Sequence, residues 1–415
     1  MVCVRSCHRS VLPAFCMLLI SSVFPGLPSR HARACDWDSE TLLEERSRFP
    51  TALEIILGKF PRHTKEYYQW RLEDRQRKLQ QQPLDDRLLD DIAVSYEKLA
   101  RYDDAIQVAN EQLQRNPDRY ESLANLGTFL IHDGRLAEGL PYIEKAIEVN
   151  PDAHFGREKY QVILVKYVLS HSADDGIMLP LSKISLDKKS YSRPFEFVEF
   201  LNKELNKELN KELGTTEEQG LSSDELQKAL KGVLGMMRFS RHDSPILLEV
   251  LAELEATMGA EQLAFRAYLS AAQHVDDPQA RRVYEQLASH VIWWKLASFR
   301  GTGHTELTEK QLVEDFHTEQ VDAEEWFARL AEDERRWIAA GVPVDERFNE
   351  RYREMPEAIV TDPKAADVSP THEGGAARAF FARMFVVTLL ASGILATLVW
   401  FGLRTRRGAK PLFDP

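Results

Sequence analysis

The chain has 415 residues, 44% of them apolar, and a formal net charge of −12. That length holds two or three domains with ample material for their cores. The acidic balance excludes nucleic acid as the main partner, because most of this surface would repel a phosphate backbone. At the start, Arg5, His8 and Arg9 precede an apolar run over 11–24, and Ala32-Arg33-Ala34 follows. A basic segment, an apolar segment and an A-x-A site are the layout of a secretory signal over 1–34, with an uncleaved anchor as the alternative. Cys3, Cys7 and Cys16 fall inside it, so only Cys35 survives cleavage and no intrachain disulfide is expected. Lipid attachment at Cys35 competes with ordinary cleavage, but Ala32, Arg33 and Ala34 lack the leucine of a lipoprotein signal.

Residues 35–85 read as an N-terminal helical cap or a degenerate repeat. Beyond them one period governs. Asn116-Pro117-Asp118 returns as Asn150-Pro151-Asp152, 34 residues later. In units 86–119 and 120–153, Leu89 aligns with Leu123, Ile92 with Leu126, Ala93 with Gly127 and Tyr96 with Leu130. Ala105 aligns with Gly139, and Ala109 with Ile143. Each unit reads as two helices with apolar residues at three- and four-residue steps, stopped by Asn-Pro. The small residues let the paired helices approach closely. A lone unit cannot bury its apolar face, so neighbours must stack.

This pattern resembles the tetratricopeptide repeat, a 34-residue helix–turn–helix with small residues at its eighth and twentieth positions and proline near its end. The resemblance implies an all-α fold, an α-solenoid of helix–turn–helix repeats. An extra helix over 156–171 completes an array at 86–171. Ala252, Gly259, Ala264, Tyr268 and Ala271 fit the same pattern and point to a second array over 222–300. Between the two, 172–221 contains LNKELNKELNKEL, with leucines at 201, 205, 209 and 213. It reads as a mostly exposed helix extension or a partner-binding helix.

Residues 301–353 read as a helical cap, with Trp326, Leu330 and Trp337 on one broad face. The segment 354–379 has proline, glycine and charge without period, as a stalk does. A transmembrane helix is predicted at 380–403, because Met384 to Leu403 carries no charge and about 20 helical residues span the hydrocarbon core. Arg404, Arg406, Arg407 and Lys410 follow it, against Arg378 and Arg383 before it. That bias places the tail 404–415 in the cytoplasm and the bulk of the chain outside, in a periplasm or the cell exterior.

No phosphate loop, G-x-S-x-G, H-E-x-x-H or C-x-x-C is present. No catalytic residue, cofactor or metal is therefore expected. His304, Glu306 and His317 match no zinc spacing. Trp293-Trp294 reads as packing in preference to a ligand platform. The resemblance instead implies a groove lined by first helices: Arg87, Asp90, Val94, Glu97 and Lys98, then Glu121, Ala124, Asn125, Thr128 and His132. Members that hold a peptide's terminal carboxylate use a Lys, Asn and Arg clamp. Asn125 matches it, but Asp90 and Val94 stand where the clamp has Lys and Asn, so carboxylate capture is not implied. Acidic Asp90 and Glu97 suit a basic or neutral segment. The expected function is a membrane-anchored scaffold or adaptor that binds a protein or peptide on the non-cytoplasmic side. The alternative is a structural spacer in a membrane assembly, with Ser392 and Ala396 as a helix-association pair. An enzyme spanning the arrays is the third reading.

Overall fold

The computed structural model describes Asp38 and residues 48–151, 156–173, 176–182, 195–213, 216, 219–299 and 308–353. The predicted signal, stalk, membrane span and tail lie outside the described residues, as do Cys35, His304 and Glu306. The helices are α1 (Ala52–Leu57), α2 (Lys65–Leu79), α3 (Asp86–Lys98), α4 (Tyr102–Arg115), α5 (Tyr120–His132), α6 (Leu136–Val149) and α7 (Arg157–Ser170). After two short strands, β1 (Ser172–Ala173) and β2 (Gly176–Ile177), come α8 (Glu196–Leu213), α9 (Ser223–Phe239), α10 (Pro245–Thr257) and α11 (Glu261–Gln273). The last are α12 (Pro278–Phe299), α13 (Glu309–Ala340) and α14 (Val344–Phe348), with one wide turn at Asn349–Arg353.

Local chemistry sets these ends. Thr51 and Glu54 form a reciprocal capping box at α1, and Ser222 and Glu225 form another at α9. The Asp85 side chain accepts from the backbone N–H groups of Arg87 and Leu88 at the start of α3. Within each repeat unit the first helix ends on a left-handed residue, Ala100 (φ 57°) in one and Gly134 (φ 84°) in the next. That backbone turns the chain so the second helix can run back.

The close approach inferred from small residues is direct. A Cβ built on Gly139 would lie 2.5 Å from the Gly127 carbonyl oxygen, and one on Gly127 would lie 2.6 Å from Ile143 Cδ1. Successive helices then pack in chain order from α2 to α7. The succession does not stop there: α7 packs on α9, and α9 to α12 continue it. Helices on both sides of 172–221 therefore pack in one helical, solenoid-like succession. The main apolar core runs through it, from Tyr160 and Tyr167 to Tyr268 and Tyr284.

The intervening segment is stitched onto that stack. β1 and β2 pair antiparallel, a small β element in an otherwise helical fold. The backbone N–H groups of Leu181 and Ser182 donate to the Glu249 carboxylate at 3.0 and 2.8 Å, and the Tyr284 hydroxyl donates to it at 2.7 Å. Glu253, one turn on, accepts from the Ser182 hydroxyl and from the Phe197 N–H. α8 buries Phe197 and Leu201, while Lys203, Lys207 and Glu208 stay exposed. The repetitive helix is thus anchored at its start, and further along Leu205 and Asn206 still face the protein while the lysines face solvent.

α13 departs most from a repeat. Its 32 residues span about 48 Å. It leaves α12, and returns to pack on α1 and α2. Arg266 on α11 holds Glu319 with two hydrogen bonds of 2.7 and 2.8 Å, and Lys59 meets Asp322 at the other end of the chain. Trp326 and Leu330 are buried there, and Trp337 is half-buried.

The membrane part of the predicted fold class is corrected. Among the described residues, no helix is long and apolar enough to cross a membrane. α13 has the length, but Glu309, Lys310, Glu314, Asp315 and many later charges forbid burial in hydrocarbon. No described helix supplies the span on which the placement as a single-pass membrane protein with a cytoplasmic tail rested.

Two stability predictions follow from this packing. Gly139→Ala meets a backbone oxygen that cannot yield. Overpacking costs about 1–3 kcal/mol, against about 1 kcal/mol gained in helix propensity. A lower melting temperature is expected, while Gly220→Ala, with nothing near its Cβ, leaves it unchanged. The second concerns pH. Burial pushes the Glu253 carboxyl up to about 8 and the Glu255 carboxyl up to about 7. The folded state therefore holds protons that the unfolded chain has released above about pH 4.5. Their contribution is fully present below that pH and is lost as pH rises through 7 to 8. Melting temperature should fall from pH 6 to pH 9, and Glu255→Gln should flatten that fall; an equal slope in the variant would contradict the assignment.

Candidate functional site: a cleft closed by the long helix

The return of α13 to the N-terminal helices encloses a cleft of about 620 Å³. Its walls are the α1–α2 connection, the end of α3, the α9–α10 turn and α13. The α1–α2 connection is locked to α13 by one buried carboxylate. Glu334 lies 2.5 Å from His63 Nδ1 and accepts the Thr64 N–H at 3.0 Å. The His63 ring stacks on Tyr67 at 3.7 Å and lies 3.9 Å from Phe348. The Tyr67 hydroxyl donates to Asp345 at 2.8 Å, and Arg75 joins Asp345 (2.6 Å) to Asp91 (2.8 Å).

The opposite wall is tied as firmly. Lys98 Nζ donates to the Phe239 carbonyl at 2.7 Å. Glu97 sits 2.8 Å from His132 Nδ1, and His132 Nε2 lies 2.9 Å from the Ser240 hydroxyl. Burial works to raise the Glu97 carboxyl, but Lys98 and His132 overcome it and hold it down at about 2. The ends of α3, α5 and α9 thus meet at one polar junction.

Residues 120–153 match the tetratricopeptide repeat family. The chain carries a tetratricopeptide repeat. Among curated proteins, none matches the chain. The matched segment is α5 and α6, the pair with the Gly127–Gly139 contact. The preceding unit, α3 and α4, has the same turn and the same spacing. Tetratricopeptide repeats are typically non-catalytic interaction modules, and the cleft lies against the α3–α4 turn of the unit before the matched one.

The residues predicted to line a groove separate into three groups. Glu97 and Lys98 line the cleft, as does Val94, and His132 stands beside it on Ser240. Asp90, Asn125 and Thr128 are buried between neighbouring helices. Arg119 forks Asp90 at 2.8 and 2.5 Å, Gln112 donates to it at 2.9 Å, and Gln161 donates to Thr128 at 3.3 Å. Burial pushes the Asp90 carboxyl up, to about 7, against the pull of Arg119 and Gln112. Ala124 is buried with them, whereas Arg87 is exposed and Glu121 half-buried, away from the cleft. Neither Asp90 nor Glu97 offers a free charge for steering.

Sequence reasoning passed over Arg62, His242 and Phe327. The Arg62 guanidinium lies 3.4 Å above the Phe327 ring, and its Nε donates to the Gly58 carbonyl at 3.2 Å. Burial pulls its pKa down to about 10, which leaves it charged at neutral pH. Burial and the Arg62 charge hold His242 neutral, at about 4, with its ring edge-on to Phe60. Arg62 and His242 sit in connections without period and Phe327 lies on the long helix, so no repeat rule reaches them. Among the described residues, no three His, Cys, Asp or Glu side chains gather as a metal site, and His317 is exposed on α13.

Glu334→Ala strands a buried ring nitrogen and a buried N–H, at about 1–3 kcal/mol. Hydrogen exchange should quicken in 59–68 before the repeats at 86–149 respond. Uniform exchange across both regions would show that α13 does not secure the cleft separately.

Proposed function

We propose that this protein is a protein-interaction scaffold that binds a peptide segment of its partner in the cleft between the repeat stack and α13. The observation behind the reading is the position of that cavity, against the α3–α4 turn of the unit that precedes the matched repeat and bounded by groups from several separate parts of the chain. A volume of about 620 Å³ lies within the range of small-molecule and side-chain pockets, and accepts a few residues of an extended peptide. Glu97 and Lys98 take part as wall residues; Asp90, Asn125 and Thr128 support the helices behind them.

The lining is suited to recognition. Phe60, Val94, Met237 and Phe327 supply apolar area, and Arg62, Lys98 and Tyr102 supply polar selectivity. Aromatic and arginine side chains carry much of the affinity in protein interfaces. The Ser240 hydroxyl in this lining meets His132, whose other ring nitrogen is held by Glu97, a hydroxyl–imidazole–carboxylate chain that ties α3, α5 and α9 together.

Peptides selected from a displayed library against the full chain test the proposal. Ala331, half-buried on the cleft wall, becomes Trp in the blocking variant. Ala331→Trp should weaken the selected peptides at least tenfold without lowering the melting temperature. Undiminished binding by a folded Ala331→Trp protein would place the interaction elsewhere.

A further inference from the structure

The cleft has a charge pattern that the whole chain does not. Its basic lining residues are Arg62, Lys65, Lys98, Arg238 and Arg241, against acidic Asp38, Glu66, Glu97 and Asp243. Three of the acids are already engaged: Asp38 by Arg71, Glu97 by Lys98 and His132, and Asp243 by Arg241. Glu66 is exposed at the rim, and among the described residues no salt bridge reaches Arg62, although the Asp243 and Glu334 carboxylates lie near enough to favour its charge. Lys65 is exposed at the same rim.

Arg62 is also pre-positioned. Its plane rests on Phe327, and its Nε is occupied by the Gly58 carbonyl. The two Nη groups remain to meet a planar acceptor end-on, the bidentate geometry that arginine offers a carboxylate. His242 lies close by: a Cβ on Gly58 would meet His242 Nε2 at 2.5 Å and Arg62 Nη2 at 3.3 Å. A neutral imidazole beside the guanidinium adds a hydrogen-bonding group without opposing an anion. The chain's total of −12 matters little inside this cleft, because exposed charges beyond about 8–10 Å are screened at physiological salt.

Resting on the scaffold reading above, we infer that the cleft takes an acidic peptide segment. A side-chain carboxylate of that segment is held by Arg62 and His242, and its apolar neighbour lies against Phe60 and Phe327. This reverses the sign drawn from Asp90 and Glu97, whose charges are spent inside the repeat stack. It also differs from capture of a chain terminus, since the receiving arginine lies before the repeats and not on their first helices.

The probe is a twelve-residue peptide of alternating glutamate and leucine, acetylated, amidated and dye-labelled, titrated into the full chain by fluorescence anisotropy. Its counterparts are a glutamine–leucine peptide, a lysine–leucine peptide and the acidic peptide with a free terminal carboxylate. The amidated acidic peptide should bind at least tenfold more tightly than the glutamine and lysine versions, and more weakly as salt rises. Arg62→Gln should cost about tenfold, Arg62→Lys less, and the exposed change Lys65→Glu should weaken binding without altering the melting temperature. Ala331→Trp should abolish it. Equal binding of the glutamine peptide, still blocked by Ala331→Trp, would overturn the acidic preference while leaving the scaffold reading intact. Binding only by the free-acid peptide would overturn it in favour of terminal capture. Binding of the acidic peptide unaffected by Ala331→Trp would overturn both, as would affinity for none of the four combined with library peptides indifferent to that variant.

Discussion

One buried carboxylate joins the two ends of this fold. Glu334 is fully buried, and it satisfies His63 and the Thr64 N–H of the α1–α2 connection, some 270 residues away in sequence. A stack of helical repeats otherwise leaves two apolar ends that need covers. Here α13 carries one end back to the other, so the covers are provided by the chain itself. Around Glu334 the polar contacts are mutually dependent: Arg71 with Asp38 and Asp91, Arg75 with Asp91 and Asp345, Tyr67 with Asp345. Buried ion pairs of this kind add little net stability over apolar packing. Their geometric demand is strict, and that is what places α13 in one position across the cleft.

How much of this was legible follows from what repeats encode. The 34-residue period, the Asn-Pro stops and the small pairs Ala93–Ala105 and Gly127–Gly139 determine local helix pairing, and the structure has that pairing. Polar positions were harder. Asp90 and Glu97 lie seven residues apart, on nearly the same face of α3, and both looked solvated. The first is buried by Arg119 and Gln112, and the second by Lys98 and His132. Gln112 and Arg119 come from the far part of the same unit and His132 from the next unit, and a one-helix projection cannot show them. The cleft residues Arg62, His242 and Phe327 come from two connections and the long helix. Their proximity depends on the return of α13, which no local pattern specifies.

The insertion between α7 and α9 obeys the same physics from the other side. An interruption of this length would ordinarily separate two stacks. It does not, because Glu249 and Glu253 offer carboxylates one turn apart, and Leu181, Ser182 and Phe197 bring backbone N–H groups to them. Burial pushes both glutamates up in pKa, so the contact is made at an electrostatic cost. Backbone amides are good partners for such groups, since they add donors without bringing in a second charge. The insertion is held at Leu181, Ser182 and Phe197, and its LNKE helix keeps Leu201 and Leu205 on the main core while Lys203 and Lys207 face solvent.

Closure and occupancy of the cleft are linked quantities. An occupant reaching from Arg62 to Ala331 touches the N-terminal connection and α13 together, and so it binds only the closed arrangement. Anything that binds the closed form alone stabilises it, by about 2.7 kcal/mol at a hundredfold excess over Kd. That is comparable to the about 1–3 kcal/mol at stake when a buried donor loses its partner, as at Glu334. The lock and the ligand therefore act with similar weight on one equilibrium. A weakened lock would lower apparent affinity by the fraction of chains left open, with every wall contact unchanged. On the proposed reading, binding strength depends also on Glu334, His63 and Asp345, which hold α13 and α14 against the N-terminal helices.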